Sequence, residues 1–173
     1  EEFPEVTAAE RAELAKVPIS PREEARFGGA AVQQLLWQLK RQGIPVQQRG
    51  PDVQYVQRLV AELRPLMQHA NRYRRIRVLV ADDDRTDARS FPGGTVVVYR
   101  GLIDFCESEA ALVGVLGHEL SHIDRGHQLY HLRRWKAAQK SLARDVDLER
   151  LLDAGSMLTR MFQRPFRPEE EAE

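Results

Sequence analysis

His118, Glu119, Leu120, Ser121 and His122 read H-E-x-x-H inside a run of apolar residues. On an α-helix, with about 3.6 residues per turn, positions four apart lie on one face, so both imidazoles can aim a ring nitrogen at one point. Zinc accepts nitrogen ligands at roughly 2.0 Å and lowers the pKa of a water it holds toward about 7. Glu119, beside the two histidines, is a carboxylate placed to take that proton. These residue types at this spacing spell metal-assisted hydrolysis, the chemistry of a zinc peptidase. The competing reading is a pair of structural core histidines, but that reading gives no reason for a Glu directly after the first.

The surrounding residues favour a helix that can hold the pair. Ser108 followed by Glu109, Ala110 and Ala111 is an N-cap and first turn, and Ala110, Ala111, Val113, Gly114, Leu116, Gly117 and Leu120 make the segment strongly apolar. The histidines therefore sit at the polar end of a mostly buried helix. A catalytic zinc keeps three protein ligands and a water, so a third is needed. The pattern HExxHxxGxxH would supply a histidine, but Arg125 and Gln128 stand at the Gly and His positions. His127 lies five residues after His122, which on a continuous helix rotates it roughly 140° off the ligand face, and Gly126 makes the helix easy to end. It is expected to support the site rather than bind metal. A carboxylate from a later helix remains, and the Glu-rich terminus, Glu169 to Glu173, is its source.

Composition narrows the function classes. At 173 residues with 42% hydrophobic content the chain can bury a core of its own, and 26 basic against 26 acidic residues leave no bulk attraction for nucleic acid or anionic membranes. Arg72, Arg74, Arg75 and Arg77 read as a solvated strand edge, not a nucleic-acid patch. No apolar run reaches the 18 or so residues of a transmembrane helix. The one cysteine, Cys106, cannot form an internal disulfide and reads as a small hydrophobe. The chain starts at Glu1, so it is expected to be a processed or trimmed product from which an export signal has been removed.

Residues 1–21, with Pro4, Pro18 and Pro21, are expected to form a loosely docked arm with a short helix from Thr7 to Lys16; residues 22–173 form the catalytic domain. Apolar spacing predicts helices from Arg22 to Arg41 and from Asp52, its cap, to Leu66 with a kink at Pro65. Ile76 to Ala81 and Thr95 to Arg100 read as strands of a two- or three-stranded sheet, with Pro92, Gly93 and Gly94 as a turn between them. Beyond the metal helix, polar helices are expected from Gln128 to Arg144 and from Asp147 to Met161. The fold class is α+β, mainly α-helical, with a small sheet beside the zinc helix in a zincin-like core. Thr95 to Arg100 is expected to be the edge on which an extended polypeptide substrate adds as a strand.

Three segments together resemble the forty-eighth metallopeptidase family, which includes the HtpX-like, Oma-type and CAAX prenyl proteases and the soluble BepA-like periplasmic members. Pro21 to Leu35 (PREEARFGGAAVQQL) is similar to the opening helix of the periplasmic members. Phe91 to Leu102 (FPGGTVVVYRGL) is similar to the family's Pro-Gly-Gly loop, strand and Gly-Leu turn, and Gly117 to His127 (GHELSHIDRGH) to its zinc helix with a trailing histidine. The resemblance implies a third zinc ligand from an E-x-x-A-D helix preceded by an aromatic residue; Phe166 in that role points to Glu171, with Glu169 as the competitor. It implies one Zn2+ per chain, held by His118, His122 and Glu171 with Glu119 as general base. It also implies proteolysis of unfolded or misfolded proteins in a periplasmic or otherwise exported compartment, with the cytoplasm as the alternative. Asp87-Ala88 stands where the family has Asn-Ala, and the chain resembles a catalytic core cut short before the residues that would stabilise the oxyanion. The rival function is a zinc-containing chaperone or adaptor that binds peptides without cleaving them; Glu119 argues against it, since binding needs no general base.

Elemental analysis is expected to find one zinc per chain. His118→Ala or His122→Ala should abolish it, because each removes a ligand nitrogen, while His127→Ala should keep it.

Overall fold

The strands carry branched apolar residues on both faces, and each face needs a cover. The computed structural model describes residues 8–141. Its elements run α1 (Ala8–Ala15), α2 (Pro21–Arg41), β1 (Val46–Gln47), α3 (Pro51–Leu63) with a 3-10 turn at Arg64–Leu66, β2 (Arg77–Ala81), β3 (Ala88–Phe91), β4 (Thr95–Tyr99), α4 (Arg100–Phe105), α5 (Glu109–Arg125) and α6 (Leu129–Ser141). Val78, Val80, Val96 and Val98 face α3 and α5, packing on Val56, Leu59, Val60, Leu112, Leu116, Leu120 and Ile123. The alternate residues Leu79, Ala81, Val97 and Tyr99 face α2 and meet Ala31, Val32, Leu35 and Leu39. This is the period-two alternation of a strand buried on both sides. The architecture is α+β and mainly helical. No helix among the described residues is long and apolar enough to cross a membrane.

The sheet order is β1-β2-β4-β3, with β2 and β4 parallel and the outer pairs antiparallel. Thr95–Tyr99 is therefore central, paired to β2 on one side and β3 on the other. This corrects the expectation that Thr95 to Arg100 offers a free edge to a peptide: its main-chain groups are already spent on two neighbours. The edge on that side is Ala88–Phe91, a strand absent from the sequence reading because Ala88-Arg89-Ser90-Phe91 is short and carries a charged and a polar residue.

Helix limits follow local chemistry. Ser20 and Glu23 form a capping box on α2, with Pro21 in the first turn. The N-cap of α3 is Gly50, not Asp52; Asp52 lies in the first turn and pairs with Arg100 at 2.8 Å. The segment expected as a loose arm is docked at its far end, where Ile19 packs with Phe27, Leu129 and Leu132, and Lys136 reaches the Pro18 carbonyl. Cys106 is half-buried against the α3/α5 core. The helix expected from Asp147 to Met161, and both Glu169 and Glu171, lie outside the described residues.

One buried carboxylate ties α2 to the β3–β4 turn. Glu24, 2% exposed, accepts two bonds from the Arg72 guanidinium (2.8 and 2.6 Å), one from the Tyr73 hydroxyl (2.7 Å) and one from the Gly93 N–H (3.1 Å). Burial and the nearby carboxylate push the Tyr73 hydroxyl pKa up, so the phenol stays a donor. Gly28 lets the helix approach: a Cβ there would lie 1.7 Å from the Pro92 carbonyl oxygen. Arg72, taken from sequence as part of a solvated edge, is instead the counter-charge of this site. Arg72→Met would strand the Glu24 charge in the interior, and a loss of about 3 kcal/mol of unfolding free energy is expected in denaturant titrations.

Candidate metal centre

The apolar stripe of α5 fixes where its polar residues go. Ser108 caps the helix, its hydroxyl accepting from the Ala111 N–H at 3.2 Å, and Leu112, Leu116, Leu120 and Ile123 bury one face. Glu119 and His122 fall beside that stripe and are buried with it, while His118 is half-buried. The ligand atoms of His118, Glu119 and His122 all lie within 4.8 Å of one another. The two Nε2 atoms approach to 3.0 Å. Two imidazole nitrogens converging on one point, with a carboxylate beside them, are a donor set that suits zinc.

The other side of the His122 ring is held by His127, Nδ1 to Nδ1 at 2.8 Å. The rotation expected from sequence assumed that the helix continues. It does not: Gly126 adopts φ 66°, ψ 31° and its N–H bonds back to His122 and Ile123 carbonyls, reversing the chain. The reversal swings His127 onto the far side of His122 from His118. When the His122 Nδ1 carries the proton and donates it to His127, the His122 Nε2 is the unprotonated nitrogen, on the side of His118, that a metal could bind. His127 thus braces the His122 ring.

Glu119 is turned to the sheet. Its Oε2 accepts the Ser90 N–H on β3 at 2.9 Å. Burial pushes its carboxyl pKa up, and the Ser90 bond opposes that rise. The Ser90 carbonyl in turn accepts from Gln128 Nε2 at 2.6 Å, and the same nitrogen reaches Ser90 Oγ at 2.9 Å. On the opposite flank, Asp124 accepts from the Gln68 and His69 N–H groups at 2.7 Å each, fastening the turn after α3 to the metal helix. Sequence reasoning missed Ser90, Gln128 and Asp124 as parts of the site. Gln128 entered only as a residue that broke a ligand pattern, and its place directly after His127 was the one available signal.

Of the residues singled out from sequence, His118, Glu119 and His122 come together and His127 joins them from behind. The proposed third ligand, Glu171, and its competitor Glu169 lie outside the described residues, so of the expected ligand set the described residues bring together His118 and His122. A model of Peptidase family M48 matches residues 52–153, from α3 through the metal helix and beyond, more than half of the chain. No curated protein matches the chain.

Burial, with neighbouring His118, His127 and Arg125, lowers the His122 pKa from 6.5 to about 4. In metal-free protein the ring should stay neutral on acidification until about pH 4, which an NMR titration of the imidazole would show. Between these values the unfolded chain binds a proton that the fold refuses. The His122 contribution to stability is therefore complete above the unfolded pKa and is lost as pH falls toward the folded one.

Proposed function

Because this chain belongs to Peptidase family M48, a family of zinc-dependent proteases, we propose that it is a zinc endopeptidase cleaving unfolded or misfolded polypeptides in a periplasmic or otherwise exported compartment. The observation that carries the reading is the convergence of His118 and His122 Nε2 at 3.0 Å beside the buried carboxylate of Glu119, itself bonded to an edge strand. His118 and His122 would hold the zinc, with Glu171 as the proposed third ligand. When bound, zinc supplies Lewis-acid polarisation of a water and of the peptide carbonyl.

The chain's own residues account for the rest. His127 holds the His122 ring with its Nε2 toward His118. Glu119 takes a proton from the attacking water and later returns it to the leaving amine; burial raises its carboxyl pKa, which makes the carboxylate a stronger base. The Ser90 N–H keeps the carboxylate oriented between turnovers. The extended substrate lies along the β3 edge through main-chain bonds, a mode that tolerates many sequences and fits unfolded protein as the substrate class.

Glu119→Gln should retain zinc and lose casein hydrolysis by about 10²- to 10⁴-fold, the cost of an essential general base. Elemental analysis and a cleavage assay on the same preparation check both halves. Activity at the wild-type level would overturn the mechanism, and intact zinc with no hydrolysis in the wild type would favour a peptide-binding adaptor.

A further inference from the structure

The β3 edge offers fewer open main-chain groups than its length suggests. In an antiparallel pair, residues alternate between those bonded to the partner strand and those whose N–H and C=O point away. Asp87 O accepts from Tyr99 N–H at 3.0 Å, and β3 pairs Ala88 with Val98 and Arg89 with Val97. Asp87, Arg89 and Phe91 therefore face β4, while Ala88 and Ser90 point outward. Both outward groups of Ser90 are taken: its N–H by Glu119 and its C=O by Gln128. By the same register the N–H and C=O of Ala88, a residue itself 8% exposed, point outward on this edge.

The Gln128 contact is a built feature. The side chain is 5% exposed, and its Nε2 donates to the Ser90 carbonyl and to Ser90 Oγ, at 2.6 and 2.9 Å. Its Oε1 is buried with no hydrogen-bond partner. Rotating the amide by half a turn would set that oxygen against the Ser90 carbonyl oxygen, so the strand dictates the orientation. A peptide strand added to this edge would lie about 4.8 Å from β3, the space the Gln128 amide fills at Ser90.

We infer that Gln128 is a specificity-determining residue that caps the substrate edge at Ser90 and confines main-chain pairing of a bound peptide to the Ala88 position. The inference rests on the peptidase reading for the identity of the bound peptide, but its geometry concerns binding and not turnover. Glu119 can release the Ser90 N–H when it serves as base; Gln128, outside the proton path, keeps the carbonyl. Substrates are then held by one two-bond rung and by the metal site, and the peptide is free to leave the sheet direction beyond it.

The test is an amide-to-ester scan, which removes one peptide N–H at a time without adding bulk. A labelled casein-derived peptide and its ester variants are bound to the zinc-loaded Glu119→Gln protein and read by fluorescence anisotropy. One position, opposite the Ala88 carbonyl, should weaken binding about 2- to 10-fold, the value of a single main-chain hydrogen bond. The position two residues along, opposite Ser90, should be silent. In Glu119→Gln carrying Gln128→Ala as well, that second position should become sensitive by a similar factor. Two sensitive positions with Gln128 intact would mean that substrate displaces the amide, and no sensitive position or no binding would mean that the edge is not used; each overturns the inference. Should the Gln128→Ala protein not fold, the scan with Gln128 intact decides alone. Binding with the expected single position, alongside absence of hydrolysis by the wild type, would sink the peptidase reading and leave the cap standing.

Discussion

A carboxylate buried in an apolar layer must be answered by a donor or give up its charge, and Glu119 is answered by the Ser90 N–H of an edge strand. That bond spans the two parts of the protein that have to stay in register, the metal helix and the sheet. It is supported from both ends. The Val and Leu residues under α5 hold the helix on one face of the sheet, and Gln128, just past the helix end, grips the same Ser90 from its carbonyl side. A helix slipped by one residue would lose the packing stripe, the Glu119 bond and the histidine pair together, because all three share one helical phase.

The turn at Gly126 does more than end α5. Its left-handed conformation sends the chain back across the helix terminus, so that two consecutive residues serve two parts of the site: His127 braces the ring of His122, and Gln128 braces the β3 edge. A side chain with a Cβ would be strained at that φ, which makes the glycine a requirement of the site as well as of the helix end.

On the far side, Glu24 performs the analogous task for the β3–β4 turn. Its bonds to Arg72, Tyr73 and Gly93 join α2 and the approach to β2 to the turn that positions β3. The edge strand is thus held at Ser90 by the metal helix and at its far end by α2. With the Asp124 bonds to the turn after α3, the site is surrounded by polar contacts between segments distant in sequence.

What the sequence determined by itself were the features carried by local spacing. The helix of His118, Glu119 and His122, its Ser108 cap and its end at Gly126 are set by residues within a turn or two of one another, and short runs rich in β-branched residues mark β2 and β4. The expected place of His127 rested on a helix continued for another turn; a chain reversal at Gly126 instead brings its Nδ1 against His122 Nδ1. Tertiary structure decided which strand has a free edge, since Thr95–Tyr99 is central only because β3, four residues with apolar side chains only at its two ends, pairs outside it. It likewise decided that Arg72 would face Glu24, and that Ser90 and Gln128 would meet beside Glu119. Pairing of strands and neutralisation of a buried charge are settled by partners dozens of residues away, and the type of a residue does not name its partner.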